Sequence, residues 1–157
     1  MQPGAAPAAS PKGLRLRAED AEDLAVISAC LQDALVSVGD LAYDDAAATF
    51  VLAANRFCWE GGGAGEAAPF ARTLCLVAFE AVTGVAYRGF QRREEGRILS
   101  LLAVRATQVG TGTTIDLEFA GGATIRLFAA AIRCRARDFG ETWPTTRQPG
   151  HALDEAP

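Results

Sequence analysis

The segment "TIDLEFAGGATIRLFA", residues 114–129, carries the clearest structural pattern in the chain. Apolar and polar side chains alternate along both of its halves, as at Ile115 and Leu117 in the first half. A period of two is the pattern of a β-strand with one buried face. Gly121 and Gly122 separate the halves, and glycine adopts the positive φ angles that tight hairpin turns require. The segment therefore predicts an antiparallel β-hairpin.

Further strand patterns lie on the N-terminal side of this hairpin. They are "LRLRA" (14–18), "LVSVGDLAY" (35–43), "ATFVLAANRFCW" (48–59), "RTLCLVAFE" (72–80), "GVAYRGF" (84–90) and "ILSLLAVRAT" (98–107). The last of these is apolar nearly throughout, which is expected of a strand buried on both faces. Short polar or glycine-containing turns separate most of the segments, so neighbouring strands are expected to pair antiparallel.

A helix is predicted between the first two of these strands, at residues 21–34. Leu24, Ile27 and Leu31 recur at i, i+3 and i+7, which places them on one helical face. Asp20 is the expected N-cap residue. The acids around the helix start complement the helix dipole; they are Glu19, Asp20, Glu22 and Asp23.

The segment "AAIRCRARDFGETW", residues 130–143, fits two structures. Arg133, Arg135 and Arg137 alternate with small residues, which favours a strand. Ile132, Ala136 and Phe139 recur at i, i+4 and i+7, which favours a helix. We predict a short helix that ends near Phe139, where Gly140 would serve as the C′ residue.

The predicted fold class is α+β, dominated by an antiparallel sheet of seven or eight strands that curves into a sandwich or a partly open barrel. One helix comes early, and a second short helix would follow the last strand, an element order like that of pleckstrin-homology domains that implies no function. Residues 1–13 are expected to form a disordered arm, 14–143 a single globular domain, and 144–157 an extended tail. Trp143 is expected to dock on the domain.

Composition narrows the functional classes. The chain has 157 residues and a net charge of −4, and 14 of its 15 basic residues are Arg. A mildly acidic protein is not expected to bind nucleic acid or an anionic membrane. The sequence contains no apolar signal segment and no apolar run of about 20 residues that would span a membrane. We expect a cytoplasmic location, with the cysteines reduced; they are Cys30, Cys58, Cys75 and Cys134.

No catalytic, cofactor or metal motif is present in the sequence. The glycine cluster "GGGAGEAAP", residues 61–69, is followed by neither the Lys and Ser/Thr of a phosphate loop nor a helix. We interpret it as a flexible loop. The only histidine, His151, lies in the tail, so it supports neither a catalytic triad nor a zinc site. The sequence predicts no cofactor and no metal, and it favours a protein that is not an enzyme.

Five polar and aromatic residues are the candidates for an interaction surface: Asn55, Arg56, Trp59, Arg126 and Trp143. Trp and Tyr are the usual anchors of interfaces, and they are also common in cores. A structural role is the other interpretation of the adjacent pair Asn55 and Arg56. In that case Arg56 would pair with an acid such as Asp33, and Asn55 would bond to the backbone.

Several stretches together resemble a proteobacterial family known only as domain of unknown function 2948. They are "LRLRAEDAEDLAVISACLQDALV", "NRFCWE", "SLLAVRA", "LEFAGGATIRL" and "DFGETWPTTRQPGH". The likeness extends from Leu14 to about Leu153. This resemblance implies no activity, cofactor or catalytic residue.

Two functional hypotheses follow. The first is a non-catalytic interaction module that binds a protein partner or a second copy of itself. The second is a ligand-binding or enzymatic domain that holds a small anion through arginines in or beside the strands: Arg56, Arg88, Arg105, Arg126 and Arg133.

Overall fold

The computed structural model describes residues 13–58 and 70–145. Residues 1–12 of the expected N-terminal arm, the glycine cluster, Trp59, His151 and residues 146–157 of the expected tail lie outside these residues. The described elements are β1 (Arg15–Ala18), α1 (Ala21–Cys30), β2 (Leu35–Asp44), β3 (Thr49–Phe57), β4 (Phe70–Phe79), β5 (Val82–Arg88), β6 (Ile98–Val109), β7 (Gly112–Phe119), β8 (Thr124–Ala129) and β9 (Cys134–Thr145).

The nine strands form one sheet in the order β1-β9-β4-β3-β2-β6-β7-β8-β5. Every neighbouring pair is antiparallel. The sheet does not close, because β1 and β5 are its two edges. The predicted class, an antiparallel sheet with one early helix, is therefore confirmed, with nine strands rather than seven or eight.

The hairpin at residues 114–129 is confirmed. Ile115 lies opposite Leu127, and Leu117 lies opposite Ile125; all four side chains are buried in the core. The turn between the strands contains Gly121, at φ 83°. A residue with a Cβ would be strained in that conformation.

The structure of residues 130–143 contradicts the prediction of a short helix there. The last ten of these residues belong to β9, which continues to Thr145, so the predicted helix near Phe139 is wrong. The strand forms because β9 has a partner on each side, β1 and β4. Cys134 and Ala136 face the core, while Arg135 and Arg137 face solvent. A pleckstrin-homology-like element order therefore does not hold in the described part of the chain, where the only α-helix is α1.

The interpretation of β6 as buried on both faces is also wrong. Ile98 and Leu102 are each 47% exposed, whereas Leu99 and Leu101 are buried. The one α-helix among the described residues, α1, packs on the other side of β6. The outer side of β6 therefore meets solvent at Ile98 and Leu102, although both side chains are apolar.

Helix α1 begins as predicted and is shorter than predicted. The Asp20 carboxylate accepts a hydrogen bond from the Asp23 amide at 2.8 Å, which confirms Asp20 as the N-cap. Leu24, Ile27 and Leu31 are each 1% exposed, so the predicted buried face is confirmed. The helix ends at Cys30, because Leu31 leaves helical geometry as the C-cap.

Helix α1 packs against both β1 and β6. These strands are far apart in the sheet order, so the sheet curves around the helix. Beyond Ser100, β6 has no strand partner on its β2 side among the described residues. There the Ser28 hydroxyl accepts a hydrogen bond from the Val104 amide at 2.9 Å, so the helix takes the place of a missing strand.

Side chains bridge the edge strand β5 to β2. The Tyr43 hydroxyl donates to the Val82 carbonyl at 2.9 Å. The Arg92 guanidinium stacks on the Tyr87 ring at 5.1 Å and donates to the Leu41 carbonyl at 3.3 Å. These contacts connect the edge strand β5 to β2 across the curved sheet, which remains open.

Candidate functional site

Two of the candidate residues, Asn55 and Arg56, lie next to each other on β3 and face opposite sides of the sheet. Successive side chains of a strand point to opposite faces. Arg56 lies on the core side with Ala54 and is 2% exposed, whereas Asn55 lies on the outer side. The two side chains therefore belong to different environments.

Arg56 forms a buried ion pair with Asp138 of β9. Its Nε and Nη2 atoms donate to the two carboxylate oxygens of Asp138, each at 2.8 Å. The Leu14 amide donates to Asp138 Oδ2, also at 2.8 Å. This bidentate geometry is the strongest form of Arg–carboxylate contact. The expectation that Arg56 pairs with an acid is met by Asp138, and not by Asp33.

Burial acts on the protonation of the ion pair and of the two cysteines Cys75 and Cys134. Burial alone would raise the pKa of Asp138, but hydrogen bonds from Arg56 and the Leu14 amide outweigh it and lower that pKa. Burial, together with the Asp138 charge, raises the pKa of the Cys75 thiol to about 12. Burial also raises the pKa of Cys134 to about 12. Both thiols are therefore protonated at neutral pH, and a thiol is a poor nucleophile.

We predict that the stability difference between the wild type and Asp138→Asn shrinks as the pH falls below about 4. The folded-state pKa of Asp138 is lowered. Its ionised form therefore stabilises the fold fully above the unfolded-state pKa of about 3.9, and this contribution is lost as the pH falls through the folded-state value. Urea unfolding of both proteins at about pH 7 and about pH 2.5 measures the difference. A constant difference would contradict the assignment.

A second arginine, Arg72 of β4, lies on the outer face beside Asn55 and is 6% exposed. Its Nη1 atom donates to the Asn55 backbone carbonyl at 2.9 Å and to Asn55 Oδ1 at 3.1 Å. Its guanidinium lies over the Phe57 ring at 5.7 Å. Burial lowers the pKa of Arg72, and the nearby Asp33 charge opposes that effect. The sequence analysis did not single out Arg72; an arginine inside the strand pattern "RTLCLVAFE" was the available signal.

The outer face of β1 and β9 carries two rows of like charge. Arg15 lies directly opposite Arg137, and Arg17 lies directly opposite Arg135. All four side chains are exposed. Of these four arginines, only Arg135 forms an ion pair with a described residue. Its partner is Glu80 of the β4–β5 turn, at 2.6 Å. We call these four arginines and the adjoining outer side of β4 the arginine face.

An apolar strip borders the arginines on β4. Leu76 lies opposite Arg137, and Ala78 lies opposite Arg135. Leu74 continues the strip and is 36% exposed. The arginine face therefore offers positive charge and partly exposed apolar surface side by side.

The structure does not bring the remaining candidates to one place. Arg126 of β8 forms a bidentate ion pair with Asp116 at 2.8 Å on the exposed face at the other end of the sheet. Trp143 lies in β9, where its backbone is opposite that of Arg72 in β4. The arginines of the small-anion hypothesis are spread over the sheet: Arg56 on β3, Arg88 on β5, Arg105 on β6, Arg126 on β8 and Arg133 before β9.

In residues 13–58 and 70–145, no three His, Cys, Asp or Glu side chains are grouped so that they could hold a metal ion. No helix in the same residues is long and apolar enough to cross a membrane. The described residues thus form an antiparallel β-sheet that one helix, α1, covers and whose outer face carries exposed arginines.

The family model described as "Protein of unknown function (DUF2948)" matches residues 14–151. The chain belongs to this family, as the sequence resemblance indicated. No curated protein and no solved structure matches the chain.

Proposed function

We propose that the protein is a non-catalytic interaction module whose arginine face binds an acidic segment of a partner protein. The observation that carries this proposal is the pairing of Arg15 with Arg137 and of Arg17 with Arg135 on an exposed surface. Like charges directly opposite each other in an antiparallel pair destabilise it. Carboxylates of a partner would remove that repulsion and provide charge-assisted hydrogen bonds.

Of the two rows, the one formed by Arg15 and Arg137 should attract a carboxylate of the partner more strongly. Glu80 already pairs with Arg135, whereas neither Arg15 nor Arg137 has an ion pair with a described residue. The whole chain has a net charge of −4, so this local excess of positive charge is not a property of the surface in general. An acidic segment is attracted to this row and repelled by most of the remaining surface.

The apolar strip indicates that the partner segment also carries apolar side chains. Leu74 and Leu76 adjoin the arginines on the same face. Burial of apolar area contributes about 25 cal/mol per Å², which charge alone does not supply. The partner we propose is therefore an acidic segment with interspersed apolar residues, and nucleic acid fits the strip poorly.

We predict that Arg137→Glu stabilises the fold and weakens binding. The new carboxylate would lie opposite Arg15, so an opposite-charge pair worth about 0.2–1 kcal/mol would replace a repulsive one. The affinity for a fluorescent peptide of alternating Glu and Leu should fall at least about tenfold, or about 1.4 kcal/mol. Fluorescence anisotropy measures the affinity, and added salt should weaken the wild-type complex.

Arg88→Glu is the matched control. It makes the same change of charge at an exposed position on β5, the opposite edge of the sheet. The control should bind the peptide as the wild type does. Equal loss in both variants, or tighter binding of a DNA duplex than of the peptide, would contradict the proposal. Binding only to a second copy of the chain, detected by sedimentation, would also contradict it.

A further inference from the structure

Arg72 and Arg56 are both nearly enclosed, but among the described residues only Arg56 is paired with a carboxylate. Arg56 donates to both oxygens of the Asp138 carboxylate. Arg72 donates to two neutral oxygens of Asn55, and both bonds come from a single nitrogen, Nη1. Among the described residues no carboxylate oxygen lies within ion-pair distance of Arg72, and the Asp33 charge acts on Arg72 only from beyond that distance. A cation that is removed from water without a counter-ion is costly to hold in a folded protein.

The other donors of Arg72 remain available. A guanidinium has five N–H groups in a planar fork, and the contacts of Arg72 with Asn55 use Nη1 alone. Within the described residues, the one fully enclosed side-chain atom that lacks a hydrogen-bond partner is Thr73 Oγ1. The Nε and Nη2 groups of Arg72 are therefore not completely enclosed by the protein.

Asn55 adds a further donor beside the guanidinium. Arginine can only donate, so the amide oxygen of Asn55 must face Arg72 and its NH₂ group must point away. No described residue accepts a hydrogen bond from that NH₂ group. The amide and the guanidinium thus present several N–H donors on the outer face, and the Phe57 ring lies against the plane of the guanidinium.

We infer that Arg72 and Asn55 form a binding site for one small oxyanion, a carboxylate or a phosphate group. The guanidinium fork matches two oxygens of such an anion in a bidentate contact. The Asn55 amide would donate to the same oxygen pair or to a third oxygen. The Phe57 ring orients the fork, and the bound anion supplies the counter-charge that Arg72 lacks. Arg72 lies on the same outer side of β4 as the apolar strip, but neither Arg72 nor Asn55 belongs to the two facing arginine rows.

The test uses Asn55→Asp in the full chain. The aspartate is nearly isosteric and would supply the missing carboxylate to Arg72. The variant should melt at a higher temperature than the wild type, and its affinity for inorganic phosphate should fall at least about tenfold. The readout is the NMR signal of the Arg72 Nε–H group, assigned by its loss in Arg72→Lys and titrated separately with phosphate and with acetate. Saturation by acetate identifies a carboxylate site, and saturation by phosphate alone identifies a phosphate site.

Gln108→Glu is the control, because it makes the same amide-to-acid change at an exposed position at the end of β6. It should bind the anion as the wild type does. A wild-type signal that neither anion saturates would overturn the inference. So would equal affinity in Asn55→Asp and the wild type. Both measurements are independent of the peptide assay, so the failure of one proposal can be told from the failure of the other.

Discussion

Asp138→Asn should lower the free energy of unfolding by about 3–5 kcal/mol, the usual cost of removing one partner from a buried ion pair. The substitution keeps the shape of the side chain and removes its charge. Arg56 would then remain 2% exposed without the carboxylate that accepts from its Nε and Nη2 atoms. The Leu14 amide would also lose a charged acceptor. Urea denaturation at neutral pH measures the effect.

Asp116→Asn is a closely matched control for this prediction. Asp116 and Arg126 form the same bidentate contact at 2.8 Å, but Arg126 is about half exposed. Exposed pairs contribute about 0.2–1 kcal/mol, so the control should cost little. Similar losses in the two variants would show that burial is not what makes the Asp138 pair important.

A double variant separates the interaction from its burial cost. Arg56→Met with Asp138→Leu removes both charges and leaves apolar side chains of similar size. Buried ion pairs replaced in this way often give proteins of equal or higher stability. We therefore expect the double variant to be more stable than Asp138→Asn alone, and the double-mutant cycle gives the coupling energy.

The local sequence pattern was sufficient to predict an element when residues close in sequence determine its structure. Leu24, Ile27 and Leu31 recur at helical spacing, and they form the buried face of α1. The alternation around Gly121 and Gly122 predicted the β7–β8 hairpin, which is closed by a turn of only four residues, 120–123. In both cases the residues that contact each other within the element are close in sequence, so a window of about 15 residues contains the pattern that predicts it.

The segment at 130–143 shows where local pattern fails. Its residues satisfy both a helical and a strand period, and no local signal separates the two. The strand is formed because β9 hydrogen-bonds to β1, more than 100 residues earlier in the chain, and to β4. Tertiary pairing thus overrides a weak helical preference.

The polar contacts were predicted less well for the same reason. Arg56 and Asp138 are 82 residues apart in the sequence, and Arg72 and Asn55 are 17 apart. The residue types indicated that Arg56 needs an acid, but only the sheet order identifies which acid reaches it. The two rows of the arginine face depend on the register of β1 against β9, which no feature of either strand alone specifies.

Ile27→Ala should destabilise the protein by about 2–5 kcal/mol, the range for truncating a large aliphatic side chain in a core. Ile27 is 1% exposed and lies on the helix that packs against both β1 and β6. Because these strands do not pair with each other, the helix is the element that covers the core between them. A cavity under Ile27 would therefore weaken the contact with both parts of the sheet.

Val26→Ala provides the comparison on the same helix. Val26 is 52% exposed, and alanine has the higher helix propensity, so this change should stay within about 0.5 kcal/mol of the wild type. Ile27→Ala removes three carbons and Val26→Ala removes two, each from a branched side chain, and the two positions differ mainly in their orientation toward the sheet. Thermal and urea unfolding of the two variants measure that difference. If Ile27→Ala were as stable as Val26→Ala, α1 would not be the element that covers the core between β1 and β6.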